Sequence, residues 1–349
     1  MNNKLSFSSD YMEGAHPEIL RRLLETNLEK TSGYGFDPYS DSAKDKIRAA
    51  CHCPDAEIYF LIGGTQTNAT VIGAMLRSYQ GVLAPESGHI SIHEAGAIEF
   101  GGHKVLTLHQ KHGKITAEQI KDALNTYNND VNREYMVMPG MVYISQPTEY
   151  GTLYSLDELR HISKVCRDNC IPLYVDGARL AYALSSPEND VTLKDMAELC
   201  DAFYIGGTKC GALFGEAVVI PKPGRIPHFF SIIKQHGALL AKGRLLGLQF
   251  DALFSDGLYE KIGKNAIDNA ARIRSALRDN RYQMYTEAPT NQVFVIIDNE
   301  RMQHLSEKVE FGFWEKYDEN HTVIRFATSW ATTEADVNNL IMLLAECGV

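Results

Sequence analysis

The 349-residue chain has no surplus of positive charge: 34 Lys and Arg stand against 44 Asp and Glu, for a formal net charge of −10. Nonspecific nucleic-acid binding needs basic surface to displace counterions, and anionic lipid asks for the same, so no nucleic acid and no membrane surface is expected as a partner. An acidic protein can still hold a locally cationic pocket for a small anion. No apolar run is long enough to cross a bilayer. The opening Met1-Asn2-Asn3-Lys4-Leu5 resembles no secretory signal. The seven cysteines are odd in number and lack a framework spacing, so reduced thiols in a cytoplasmic protein are expected. Cys166 and Cys170, at i and i+4 on a predicted helix, read as packed or half-exposed thiols. Internal repeats and low-complexity segments are also missing. What remains is an ordinary globular composition with enough chain for a large core in two unequal lobes.

Strand-like and helix-like segments alternate from about residue 55 to 220. Candidate strands are Glu57–Ile62, Gly81–Ala84, Lys104–Leu108, Met141–Ser145, Leu173–Val175, Phe203–Ile205 and Glu216–Ile220. Several are continuous apolar runs, as expected for strands with helices on both faces. Thr116 with Gln119, and Ser155 with Glu158, fit the capping box that opens a helix. The alternation predicts an α/β fold with a mostly parallel, doubly wound sheet. Pro221-Lys222-Pro223-Gly224-Arg225-Ile226-Pro227 ends it. Beyond lies a long helical stretch from about His228 to Lys264, with a break near Ser255-Asp256-Gly257. A helix around Asp268–Arg278, strands at Val293–Ile297 and Val323–Ala327, and a last helix opened by Thr333 and Asp336 complete a smaller C-terminal α+β unit. We divide the chain into a large domain, 1–245, and a small one, 246–349.

Lys209 ends the run Ala202-Phe203-Tyr204-Ile205-Gly206-Gly207-Thr208-Lys209, an apolar strand broken by two glycines. An ammonium just past a strand end faces a cleft, where it can lose its proton and bond covalently to an aldehyde. Leu173-Tyr174-Val175-Asp176 repeats the layout with a carboxylate. Ligands on such sheets sit at the carboxyl ends of strands. An amine and an acid placed there suit pyridoxal 5′-phosphate, the acid pairing with the protonated ring nitrogen. Gly63-Gly64-Thr65-Gln66-Thr67-Asn68 follows the first candidate strand and opens a helix whose free N–H groups can cradle a phosphate, or it is a plain strand-to-helix turn. It does not match the dinucleotide fingerprint, and Gly206-Gly207-Thr208-Lys209-Cys210 does not match the Walker pattern.

Arg179 either contacts the cofactor ring oxygen or a carboxylate, or closes a salt bridge on Asp176 three residues before it. His89, just beyond a strand, can stack on an aromatic ring and help move protons. A rival from another class is a metal-dependent hydrolase on His89, His93 and Glu94, although Ile90 stands where the zincin pattern has Glu. Cys51-His52-Cys53 lacks a second ligand pair and reads as a loop thiol pair. Arg325, in Val323-Ile324-Arg325-Phe326-Ala327, either grips a substrate carboxylate from the small lobe or lies exposed on an edge strand.

Together these segments resemble the threonine aldolase family of fold-type I pyridoxal phosphate enzymes, within the β-eliminating lyase superfamily. The resemblance covers nearly the whole chain, with the segments in order. It implies that Ser9 in Ser8-Ser9-Asp10 touches substrate or cofactor, and that Tyr34 in Tyr34-Gly35-Phe36-Asp37-Pro38 reaches a neighbouring subunit's site. By the same resemblance Gly64 and Thr65 hold the phosphate, His89 stacks on the ring, and Asp176 and Arg179 belong to the Asp-Gly-Ala-Arg motif. Thr208-Lys209 matches the family's Ser-Lys, and Arg325 its carboxylate-binding arginine. Lys209, His89 and Asp176 are then the catalytic residues, with no metal. Two places depart from the pattern. Thr148, in Ser145-Gln146-Pro147-Thr148-Glu149, stands at the position of a histidine on the substrate-hydroxyl side. Lys234 and Lys242 stand in for a phosphate-binding arginine in a glycine-rich run. The implied activity is cleavage of threonine or allo-threonine to glycine and acetaldehyde by a homo-oligomer, dimer or tetramer, with shared sites. A β-eliminating or racemising enzyme using the same Lys209 and Asp176, and a noncatalytic amino-acid-binding protein, are the other expectations.

Overall fold

A computed structural model describes residues 4–346. It opens with a short strand, β1 (Leu5–Phe7). Then come β2 (Glu57–Leu61), β3 (Gln80–Pro85), β4 (Val105–Leu108), β5 (Met138–Ser145), β6 (Leu173–Asp176), β7 (Ala202–Gly206) and β8 (Glu216–Ile220). Among the described residues these seven form one sheet in the order β2-β8-β7-β6-β5-β3-β4. The run from β7 to β4 is parallel, and β8 lies antiparallel to both β7 and β2. The chain crosses back by helices such as Ala117–Asn129 and Leu156–Asp168, and both predicted capping boxes are formed. The mostly parallel doubly wound sheet is therefore as expected.

Side chains along each strand point alternately to two buried faces. On β5, Val142 and Ile144 enter one hydrophobic cluster while Met141 and Tyr143 enter another. On β6 and β7, Val175, Phe203 and Ile205 share the first cluster, and Tyr174 and Tyr204 the second. Helices cover both faces, which is why these strands read as unbroken apolar runs.

The C-terminal part adds β9 (Gln283–Met284), β10 (Gln292–Asp298), β11 (Val309–Lys316) and β12 (His321–Ala327), which with β1 form a second sheet ordered β1-β11-β12-β10-β9. The N-terminal segment thus reaches across to the smaller sheet, β1 pairing in parallel with β11. The long helical stretch is three helices, Phe229–Gln235, Arg244–Leu253 and Leu258–Asp279. Turns with positive φ at Gly237 and Gly257 interrupt it. Residue 245 falls just inside the second of them. Among the described residues no helix is long and apolar enough to cross a membrane.

Candidate active site

Two loops at the carboxyl ends of β6 and β7 press against each other. Gly206 N–H donates to the Gly177 carbonyl at 2.9 Å. A Cβ on Gly177 would lie 2.0 Å from the Tyr204 carbonyl oxygen, and one on Gly206 would lie 2.3 Å from that of Ala178. Only glycine permits this backbone approach. It brings Asp176 and Lys209 into one cleft, a cavity of about 330 Å³ that also takes in Gly64, Thr65, His89, Glu149, Arg179, Thr208 and Glu216. A second cavity of about 440 Å³ adjoins it through shared Tyr11, His89, Glu149, Arg179 and Lys209, and is closed by Gln292, Trp314 and Arg325 of the smaller sheet.

Asp176 is almost fully buried and well supplied with donors. Its Oδ2 accepts from Tyr143 Oη at 2.8 Å and Asn68 Nδ2 at 3.0 Å, and its Oδ1 accepts from Ala178 N–H at 3.0 Å. Burial opposes ionisation, but the nearby His89 and these hydrogen bonds outweigh it, and the carboxyl stays below its ordinary range. The Lys209 pKa is lowered too, but in an amine this favours the neutral form: burial, then the positive charge of Arg179, lowers it against the pull of Asp10, Asp176 and Glu216. A lysine whose proton is loosened, sharing a cleft with a well hydrogen-bonded aspartate carboxylate, suits covalent bonding to an aldehyde.

Arg179 does not close on Asp176. Its guanidinium forms a two-pronged pair with Asp10, Nε to Oδ2 at 2.6 Å and Nη2 to Oδ1 at 3.0 Å. Asp10 is fully buried; desolvation opposes its charge, yet Arg179, Lys209 and Asn291 bring its pKa down to about 2. Arg325, on β12, donates from Nη1 to Gln292 Oε1 at 3.0 Å and from Nη2 to the Ser8 carbonyl at 2.8 Å. It is no exposed edge residue, because β12 lies inside the sheet between β10 and β11.

His89 opens a short helical turn, and its Nδ1 lies 2.7 Å from Oε1 of the buried Glu94. His93 packs between His89 and Trp314, at ring-centroid distances of 5.6 and 6.4 Å. Among the described residues no group of three or more His, Cys, Asp or Glu side chains is placed to hold a metal ion, which removes the expected rival centre on His89, His93 and Glu94. The same holds for Cys51 and Cys53, which are free thiols.

Thr148 is turned away from the cleft, its hydroxyl 2.7 Å from Thr152 Oγ1. The next residue, Glu149, faces the cleft instead and lines both cavities. Its Oε1 accepts from His89 N–H at 2.9 Å and from Ser145 Oγ at 2.7 Å. Burial raises its pKa, against the hydrogen bond from Ser145. Glu216 behaves alike: burial pushes it to about 8, although Thr208 Oγ1 (2.8 Å) and Gly207 N–H (3.0 Å) donate to it.

The donor set of the cleft and its buried polar atoms left without partners bear on its fit to pyridoxal 5′-phosphate. The helix Gly64–Met75 begins in the cleft with no side-chain cap, so its first N–H groups are free for an anion. Burial pushes Glu216, the acid hydrogen-bonded to Thr208, up to about 8, which weakens its repulsion of a phosphate. Among the described residues Ser9 Oγ, Arg325 Nε and Glu149 Oε2 are buried without hydrogen-bond partners. The residues present fit the group. Tyr34, Lys234 and Lys242 line neither cavity of this cleft; Lys234 Nζ stands 4.4 Å above the Tyr34 ring in a separate surface region. Sequence reading gave no role to Asp10, Asn68, Tyr11, Glu149 or Glu216. Asp10 was in plain view beside Ser9, and only its long-range partner was hidden.

Three comparisons bear on this geometry. The family model described as β-eliminating lyase matches residues 6–300. A low-specificity L-threonine aldolase from a Pseudomonas species is 30% identical, over 96% of this chain and 95% of its own. The solved structure of a Leishmania major threonine aldolase is 40% identical with a TM-score of 0.95, covering 98% of each chain. Thermus thermophilus aspartate aminotransferase, at 14% identity and a TM-score of 0.73 over 99% of this chain and 92% of its own, shares the fold.

Proposed function

The chain belongs to the β-eliminating lyase family, and on that premise we propose that it is a pyridoxal 5′-phosphate-dependent aldolase cleaving threonine or allo-threonine to glycine and acetaldehyde. The observation that carries the reading is the meeting of Lys209, its ammonium pKa lowered by burial and Arg179, and the hydrogen-bonded Asp176 carboxylate in one cleft. When bound, the cofactor supplies an aldehyde that takes up amines covalently and a protonated ring that draws electrons from Cα.

Lys209 would hold the cofactor through its aldehyde, and its lowered amine pKa suits exchange with a substrate amine. Asp176 keeps the proton on the ring nitrogen, which Tyr143 and Asn68 support by fixing the carboxylate. Gly64, Thr65 and Thr208 would hold the phosphate, and His89 would lie against the ring. Arg325, whose Nε is unpaired, would offer its guanidinium to the substrate carboxylate, and Ser9, which lines neither cavity, adjoins the Ser8 carbonyl that Arg325 Nη2 grips. Arg179, anchored by Asp10, places a cation beside Lys209 that favours the neutral amine. Tyr34, Lys234 and Lys242 would serve the site of a neighbouring subunit in a homo-oligomer. The buried or free thiols suit a reducing, cytoplasmic setting.

The test is an absorption spectrum of purified protein before and after borohydride, with the modified residue mapped, together with glycine release from threonine. We expect a visible band lost on reduction, a label on Lys209, and no glycine from Lys209→Ala. Parent-rate glycine formation by that variant would sink the proposal.

A further inference from the structure

Glu94 has so far no role, yet it is the partner of a residue placed against the cofactor. Its side chain is sealed from water, while His89 is one-third exposed to the cleft. Oε1 of Glu94 accepts from Asn68 Nδ2 at 2.8 Å and lies 2.7 Å from His89 Nδ1. The orientation of Asn68 is fixed on its other side: its Oδ1 accepts from Tyr174 Oη at 2.9 Å, and its Nδ2 also donates to Asp176. Because Asn68 must present its NH₂ group to Glu94, Oε1 is an acceptor there. The imidazole can complete the contact only by carrying its proton on Nδ1. The backbone N–H of His89 is held by Glu149 Oε1, which fixes the point from which the ring reaches Glu94.

We propose that Glu94 is a positioning residue that keeps the proton of His89 on Nδ1, leaving Nε2 as the acceptor for the β-hydroxyl proton of the substrate. This rests on the aldolase reading above and deepens it. The proton leaves the hydroxyl for Nε2, the O–H electron pair becomes the second bond of the aldehyde carbonyl, and the Cα–Cβ pair stays on Cα, which takes one proton from solvent to give glycine while Nε2 returns its proton to solvent. Thr148, turned toward Thr152, cannot take that part. A neutral imidazole with the opposite tautomer would present N–H where a lone pair is needed, a defect that costs about 10⁴ in kcat where a buried carboxylate normally sets the tautomer.

The test joins nitrogen-15 NMR of histidine-labelled holoenzyme to steady-state kinetics on threonine. In the parent protein we expect His89 protonated on Nδ1. Glu94→Leu should release the ring to the Nε2–H form and lower kcat by about 10²–10⁴, with KM within about threefold. Glu94→Gln keeps an oxygen acceptor for Nδ1–H, so it should retain the tautomer and recover most of the lost rate. An Nε2–H signal from the parent protein defeats the proposal outright, and that measurement needs no variant to fold. A Glu94→Gln rate as low as that of Glu94→Leu with the tautomer intact also defeats it, because charge and not proton placement would then be at work. Failure of the parent protein to cleave threonine would count against the aldolase reading instead, whatever the tautomer.

Discussion

The two sheets deliver chemistry in different ways. The seven-stranded sheet offers groups at strand ends, where an apolar run stops and the chain turns: Asp176 after β6, Lys209 after β7, and the helix opening at Gly64 after β2. The five-stranded sheet offers one side chain from the middle of a strand. Arg325 lies across from Phe294 on β10 and Gly312 on β11, and a Cβ on Gly312 would come within 3.3 Å of the guanidinium. On the proposed reading, the first sheet governs electrons and protons and the second governs which molecule is held. Strand-end placement exposes a group to the cleft while its neighbours stay buried on both faces. Mid-strand placement needs a gap in the adjoining strand.

The largest effect should come from the electronic side. Asp176→Asn removes the charge that retains a proton on the ring nitrogen, and we expect kcat to fall on the order of 100- to 1,000-fold, with threonine KM little changed. A similar fall in kcat from Arg325 variants would break the division of labour between the sheets. On the holding side, Arg325→Lys swaps a planar fork for a point charge and loses a charged hydrogen bond worth about 1.5–3 kcal/mol, so KM should rise roughly 10- to 100-fold. An unchanged KM would show that the smaller sheet does not hold the substrate carboxylate.

The smallest effect is on stability, and it sets two buried acids against each other. Asp10 is held at about 2, below its ordinary 3.8. It therefore contributes on the order of 2 kcal/mol above pH 3.8, which is lost as pH falls through 2. Glu216 is raised from 4.5 to about 8, so its contribution is present below pH 4.5 and is lost as pH rises through 8. Cofactor-free Glu216→Gln should melt a few degrees above the parent protein at alkaline pH and near the parent below pH 4.5. An equal difference at both ends would show that Glu216 is not neutral in the folded state.

Most of the larger sheet was legible because its strands are buried on both faces and punctuated by glycine. β8 falls on its predicted residues, Glu216–Ile220, and β6 extends its predicted span by only Asp176. β11 was not foreseen, although Val309, Phe311 and Phe313 alternate with polar residues or glycine. The register slips at Phe313/Glu315, so the alternation is short, and half-exposed side chains give a weak signal. In the site, residues whose place in the cleft follows from strand position were readable, as Lys209 and Asp176 were. Those defined by a distant partner were not: the Arg179–Asp10 pair joins positions 169 residues apart, and the Asn68–Asp176 contact spans 108. Neither separation leaves a periodic trace.

The crossing at Gly177 and Gly206 also bears on anyone reshaping this cleft for other aldehydes. Mutagenesis libraries should spare both positions, since even a methyl group there would wedge the two loops apart and spoil variants whose other changes were sound. Diversity is better spent on Trp314 and Phe313, which form the outer wall and can be trimmed without touching that junction.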